Sequence, residues 1–183
     1  MADEYIDILE KSGESTGRVA LKSEAHRLGL YHASVHIWVF TEDGQILLQK
    51  RADDKDTYPG LWDVSVAGHI GAGESPKVAA IREIKEEIGL TIAQQDLNFI
   101  TIYLSEKIPQ KGLFDNEFHH IFLSLLTTPI DQLSLQKEEV SSVKLIRLPD
   151  FINQLDNEIL SKKYVPHDRA YYDLIIDEIH HRL

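Results

Sequence analysis

Residues 68–90, GHIGAGESPKVAAIREIKEEIGL, constrain this chain more than any other stretch. Ser75 followed by Pro76 marks a helix start, a capping residue and then proline at the first helical position. Gly89 ends that helix about four turns later. Glu83, Glu86 and Glu87 are spaced i, i+3, i+4, which puts three carboxylates on one face. Ile81, Ile84 and Ile88 fall on the opposite face and supply a core contact. Like charges on adjacent turns repel by a few tenths of a kcal/mol per pair in water, roughly. A divalent cation turns that repulsion into coordination, and hard oxygen ligands favour Mg2+ or Mn2+ over zinc. Gly68, Gly71 and Gly73 precede the helix and leave room for backbone and phosphate to approach closely.

The rest of the chain predicts what that helix packs on. Residues 5–10 and 17–21 read as a hairpin around the turn-rich SGESTG, and Ser23 as the cap of a short helical turn through His26 and Arg27. From 32 to 40 the pattern alternates, with Val35, Ile37 and Val39 on one side and His32, His36 and Trp38 on the other. Asp43-Gly44 is a hairpin turn into a strand at 46–50, and Leu61 to Ala67 reads as one further strand. Strands follow at 98–105 and 117–126, separated by a loop around 109–112, then a short strand at 143–148. Residues 149–156 and 167–182 read as helices. Strands with helices at the middle and the end predict an α/β sandwich around a mixed sheet. One domain is expected over 1–183, with an N-terminal extension at 1–29 and C-terminal helices at 149–183.

Composition removes several functions. A net charge of −11 argues against binding a nucleic-acid polymer or an anionic membrane, which would need a basic face. The chain has no cysteine, so thiolate metal sites, disulfides and cysteine nucleophiles are excluded. The acidic N-terminus lacks an apolar signal core, and no apolar run approaches about 18 residues. A cytoplasmic location and a small-molecule partner are the expectation, with the protein a monomer or a homodimer.

The stretch 68–90 fits the signature of the Nudix hydrolases, G-x5-E-x7-R-E-U-x-E-E-x-G-U with U aliphatic, at every fixed position, and the chain so resembles that family. The resemblance implies a Nudix fold, an α/β/α sandwich around a mixed sheet. It implies that Glu83, Glu86 and Glu87 hold Mg2+, or Mn2+, with the Gly68 carbonyl as an extra ligand. It makes the Arg82–Glu74 pair the scaffold of the site, and the chemistry an attack by metal-activated water on phosphorus of a diphosphate linkage.

The stretch from His26 through Glu87 is similar to the branch containing isopentenyl diphosphate isomerase and its hydrolase relatives, in EAHRLGLYHASVHIWVF, ILLQKRADDKDTYPGLWD and AGH. The C-terminal YVPHDRAYYD also resembles those relatives. In the isomerases an arginine and a lysine hold the substrate diphosphate, and the matching positions are Arg51 and Lys55. Their histidine- and carboxylate-rich metal site matches His32, His69 and Glu117, with His26 and Asp115 further positions. His36 shares a strand face with His32 and can pack beside Trp38. His119 and His120 alternate, so at most one joins Glu117.

Where the isomerases carry a catalytic cysteine this chain has Ala67, so hydrolysis is expected rather than isomerisation. The proton acceptor is Glu86 or Glu117. Specificity is expected from loops at 54–60 and 106–116 and from the C-terminal segment, with Tyr58, Trp62, Tyr103 and Phe114 as aromatic candidates. The alternatives are an isomerase-like enzyme acting on prenyl diphosphates and a non-catalytic diphosphate-binding module.

Overall fold

A computed structural model describes residues 3–183. An N-terminal hairpin of β1 (Tyr5–Leu9) and β2 (Ser15–Leu21) leads into α1 (Lys22–Leu28) and the central strand β3 (Tyr31–Phe40). The chain continues through β4 (Gln45–Arg51), β5 (Trp62–Asp63), β6 (Val66–His69) and the acidic helix α2 (Pro76–Ile88). Strands β7 (Asn98–Gln110), β8 (Leu113–Leu125) and β9 (Val140–Arg147) follow, then α3 (Leu148–Leu155) and α4 (Arg169–His180).

Strand β3 organises the sheet. It runs parallel to β8 from His32↔Glu117 to Phe40↔Leu125, and on its other edge antiparallel to β6 from Ser34↔His69 to Ile37↔Val66. β7 closes antiparallel on β8, while β4 pairs antiparallel with β9 and β5. Because β3 is covered on both faces, its alternation separates two cores rather than core from solvent. Val35, Ile37 and Val39 meet Ala80, Ile84 and Ile88 of α2. Trp38 and Phe40 meet Phe151 of α3 and Tyr171, Ile175 and Ile179 of α4. The expected α/β/α sandwich on a mixed sheet is therefore observed. No helix among the described residues is long and apolar enough to cross a membrane.

Four expectations change in detail. The single strand over 61–67 is two strands, since β5 pairs with β4 and β6 with β3. The buried Ser65 hydroxyl marks the crossing: it accepts from the Val39 N–H at 2.8 Å and donates to the Leu47 carbonyl. The loop over 106–116 is instead the end of a long β7–β8 hairpin, closed by Lys111-Gly112 with Gly112 at φ +82°. Ser23 lies inside α1 and binds Asp3, and Leu21 stands at the cap position. Ser75 precedes α2 as expected, but its hydroxyl makes no capping bond.

Gly89 ends α2 at φ +69°, and a Cβ there would stand 2.8 Å from Ser134 Cβ and 3.0 Å from the Ser134 backbone. The left-handed conformation alone costs a non-glycine residue roughly 1–2 kcal/mol. Gly89→Ala is expected to destabilise the protein by at least about 1–2 kcal/mol, read as a lower midpoint in urea unfolding. An unchanged midpoint would show that the Ser134 segment yields freely.

Candidate active site

The packing of α2 divides its acidic face. Ala79, Ala80, Ile84 and Ile88 are buried on the sheet, and Glu83 and Glu87 border that stripe closely enough to be carried inward, at 8 % and 4 % exposure. Glu86 remains exposed. The carboxylates and the isoleucines therefore lie on adjoining sectors, not on a wet and a dry side. Gly68 on β6 makes room for this. A Cβ there would fall 2.1 Å from Glu83 Cδ.

Arg82 ties the group together. Its Nε and Nη2 donate to the two Glu74 oxygens at 3.0 and 2.8 Å, a two-point pairing of the kind guanidinium geometry favours. Its Nη1 donates to Glu83 at 2.8 Å and Glu86 at 3.2 Å, and Nη2 also reaches the His69 carbonyl at 3.2 Å. Burial pushes the Glu83 carboxyl up to about 7 against the opposing pull of Arg82. Burial, and Glu83 nearby, push Glu87 well above the usual carboxylate range. Its side chain accepts one hydrogen bond, from Gln49 at 3.1 Å. Buried carboxylates this poorly matched by positive charge are costly. An all-oxygen donor set of this kind fits a hard divalent cation.

A second cluster adjoins the first. His26 comes from α1, His32 from β3, His69 from β6 and Glu117 from β8, and their ligand atoms lie within 4.8 Å of one another. Glu117 Oε1 is 3.3 Å from His69 Nε2, 3.4 Å from His32 Nε2 and 3.8 Å from His26 Nε2. His32 Nδ1 is 3.0 Å from the Leu30 carbonyl, which can only accept, so Nδ1 carries the proton and the Nε2 lone pair faces the cluster. Burial lowers His69 to about 3, leaving its ring neutral at pH 7. Burial would raise Glu117, yet the imidazoles of His119, His26, His32 and His69 hold it well below its ordinary value. Asp115, 3.9 Å from His26, is raised to about 9 by burial beside Glu117. Three imidazole nitrogens and one carboxylate form a donor set suited to a divalent transition metal.

Arg51 and Lys55 line the same cleft. The Arg51 guanidinium is pinned by Thr57 and by Asp63, the latter at 3.1 Å, and Lys55 pairs with Glu139. Of the four aromatic candidates only Tyr58, at φ +49°, lines the cleft. Trp62 lies under Lys144, Tyr103 packs on Tyr171, and Phe114 packs against Gly29.

Two cleft residues, Asp63 and His167, were not singled out by the sequence. Asp63 on β5 meets His167, which enters because the Val165 N–H bonds the Trp62 carbonyl and Trp62 bridges to Tyr164. His36 reaches Tyr171 instead of simply packing beside Trp38. His119 is the member of its pair that meets Glu117, at 3.3 Å, and His120 faces away. The only sequence signals were a lone aspartate in the apolar LWDVSV and the histidine of YVPHDRAYYD.

The NUDIX domain family model matches residues 30–168. "Nudix hydrolase 3" of Arabidopsis thaliana is 42% identical over 187 residues, covering 100% of this chain but 24% of that protein, so the chain spans about a quarter of its length. An isopentenyl-diphosphate Delta-isomerase of Streptomyces avermitilis is 33% identical over 129 residues, 68% of this chain and 63% of that one. A Deinococcus radiodurans crystal structure superposes with a TM-score of 0.66 at 17% identity, over 97% of this chain and 98% of that chain, a likeness of fold.

Two outcomes follow from the geometry. Gly68→Ala is expected to leave the fold intact, because the atoms its methyl displaces belong to the flexible end of Glu83. Divalent-cation affinity, measured by calorimetry, should fall about 10–100-fold, and unaltered affinity would separate Glu83 from the cation. Asp63 is raised by burial but lowered more strongly by His167 and Arg51, and its carboxyl lies well below the ordinary range. A depressed carboxylate stabilises the fold above its unfolded value, near ~3.9, and that stability is lost as pH falls through it toward the folded value. Asp63→Asn should cost about 1–3 kcal/mol at pH 7, because it removes the charge partner of the partly buried Arg51, and should flatten the acid limb of a stability–pH curve. An acid limb as steep as the parent's would place the loss elsewhere.

Proposed function

The chain belongs to the Nudix hydrolase family, and on that footing we propose that it hydrolyses the diphosphate linkage of a nucleoside diphosphate derivative or a similar organic diphosphate, with Mg2+ or Mn2+ as cofactor. The observation that carries this reading is the sharing of one cleft by three sets of groups. The α2 carboxylates, His26, His69 and Glu117 of the second cluster, and the Arg51 and Lys55 side chains all line it. An acidic protein can hold a diphosphate when cations and these two side chains stand between the like charges.

Glu83 and Glu87, with the Gly68 carbonyl, are the donors proposed for the catalytic cation. Bound there, it would acidify the attacking water and neutralise charge on the phosphate oxygens. Arg82, fixed by Glu74, keeps Glu83 in position. His26, His32, His69 and Glu117, with Asp115 beside them, are the donors proposed for a second cation. Arg51 presents a guanidinium already oriented by Thr57, and it binds the diphosphate together with Lys55. Glu86 is the proton acceptor favoured here. Its side chain is half exposed and held by Arg82 alone, free to turn toward the water, whereas the Glu117 oxygens are ringed by imidazoles.

Ala67 stands opposite His36 in the β3–β6 register and lines the cleft. A methyl group transfers no proton and the chain has no cysteine, which supports hydrolysis over isomerisation. Two buried carboxylates without matching cations would serve no purpose in a module that only binds. The whole of 1–183 is proposed to act as one domain.

The test is phosphate release from nucleotide sugars, dinucleoside polyphosphates, coenzyme derivatives and prenyl diphosphates, with and without Mg2+. Turnover is expected to require the cation and to stop with a chelator. Glu87→Gln should reduce it on the order of a hundredfold or more, while the metal-free variant melts at a higher temperature than the parent because a buried charge is gone. No cation-dependent turnover across the panel would sink the enzyme reading, and near-normal activity in Glu87→Gln would remove it from the ligand set.

A further inference from the structure

Arg51 and the C-terminal segment are joined through one carboxylate. Asp63 of β5 is buried, and both of its oxygens are used. Oδ1 accepts the Val64 N–H at 2.8 Å and lies 3.0 Å from His167 Nε2, while Oδ2 accepts from Arg51 Nη1 at 3.1 Å. An ionised carboxylate can only accept, so His167 Nε2 carries a proton and donates it to this bond.

His167 is itself held from several sides. The Val165 N–H bonds the Trp62 carbonyl at 2.8 Å, and the His167 N–H turns back to the Val165 carbonyl at 2.8 Å. The Tyr172 hydroxyl donates to that same carbonyl at 2.7 Å, and Lys107 of β7 donates to the Pro166 carbonyl. The His167 ring lies over Tyr171 with centroids 4.6 Å apart. The segment 164–168 is thus tied to β5, β7 and α4, and it delivers its imidazole to Asp63.

Arg51 depends on that anchor. Its Nε and Nη2 donate to the Thr57 carbonyl and hydroxyl, both at 2.9 Å, so Thr57 fixes one edge of the guanidinium. Thr57 belongs to the loop between β4 and β5, and a loop holds an edge less firmly than a strand does. Asp63 fixes the remaining nitrogen from a strand paired with β4 at Gln49↔Asp63. Among the described residues, three of the five guanidinium N–H groups find partners, which leaves one on each terminal nitrogen. Two donors on a plane locked from both sides suit two oxygens of a diphosphate.

We propose that Asp63 and His167 are positioning residues for Arg51, so that the segment 164–168 sets the plane in which the guanidinium meets the diphosphate. The proposal rests on the hydrolase reading only for the ligand that Arg51 takes. A pair that merely stabilised the fold would lower the melting temperature when broken and leave the ligand affinity of the folded protein unchanged.

The experiment measures binding of methylenediphosphonate, a diphosphate analogue that resists hydrolysis, to the full chain with Mg2+ by calorimetry. His167→Phe keeps a ring over Tyr171 but removes the donor, and should weaken binding about tenfold. His167→Gln, whose amide N–H can replace Nε2–H, should stay within about threefold of the parent. In an Arg51→Lys background, His167→Phe should add no further loss. In turnover the loss should fall on KM rather than kcat. An affinity unchanged by His167→Phe, or an equal loss in both backgrounds, would overturn the proposal and leave the hydrolase standing. Should His167→Phe fail to fold, Asp63→Asn is put through the same two backgrounds and judged by the same outcomes. If the parent binds no diphosphonate, the ligand assigned to Arg51 fails instead, and NMR decides the positioning. The Arg51 Nε–H signal, identified by its absence from Arg51→Lys, should exchange slowly in the parent and faster in His167→Phe. Equal rates overturn the proposal.

Discussion

One guanidinium keeps the acidic helix in working form. Arg82 contacts Glu74, Glu83, Glu86 and the His69 carbonyl at once, through fixed planar geometry that a lysine could not reproduce. Through it the loop before α2, the helix and the end of β6 hold one relative position. Without that positive charge, packing the isoleucines of α2 would press Glu83 into a nearly dry space with no cation beside it. The site is thus built on a compromise in which the hydrophobic stripe decides the helix orientation and Arg82 makes it tolerable.

The sheet adds the second element of the design. Strand β3 is buried on both faces, so each polar residue on it must find a partner. Period-two alternation delivers His32, Ser34 and His36 to one face, and the parallel register with β8 sets Glu117 and His119 beside them. His32 then faces Glu117 and His36 the Tyr171 hydroxyl, two positions of one pleat with different partners.

The bounds of the acidic helix were legible, because a starting proline, a closing glycine and periodicity are local. So was the sandwich, since alternating and helical periods are local too. The break between β5 and β6 was not, because an apolar run gives no sign of which neighbour each half will choose. The ends of β7 and β8 resemble a loop in sequence because Lys107, Gln110 and Lys111 are polar, although a hairpin tip is equally wet. Helix α2 was placed correctly but its burial was not, as adjoining sectors of a helix are separated by packing and not by sequence. Asp63 and His167 lie 104 residues apart, and only the folded chain brings them together. The family resemblance supplied Arg51, Lys55, His69 and Glu117 as candidates, and none of these would stand out from periodicity alone.

The bounds of the family model and of the cleft differ in this protein. The family match runs from residue 30 to 168, yet His26 of the imidazole cluster precedes it and Tyr171, whose hydroxyl meets His36, follows it. The segments that look like trimmings on a shared core are structural parts of its cleft. Engineering that transplants only residues 30–168 would carry over the acidic helix and lose His26 from the imidazole cluster and the Tyr171 hydroxyl that meets His36.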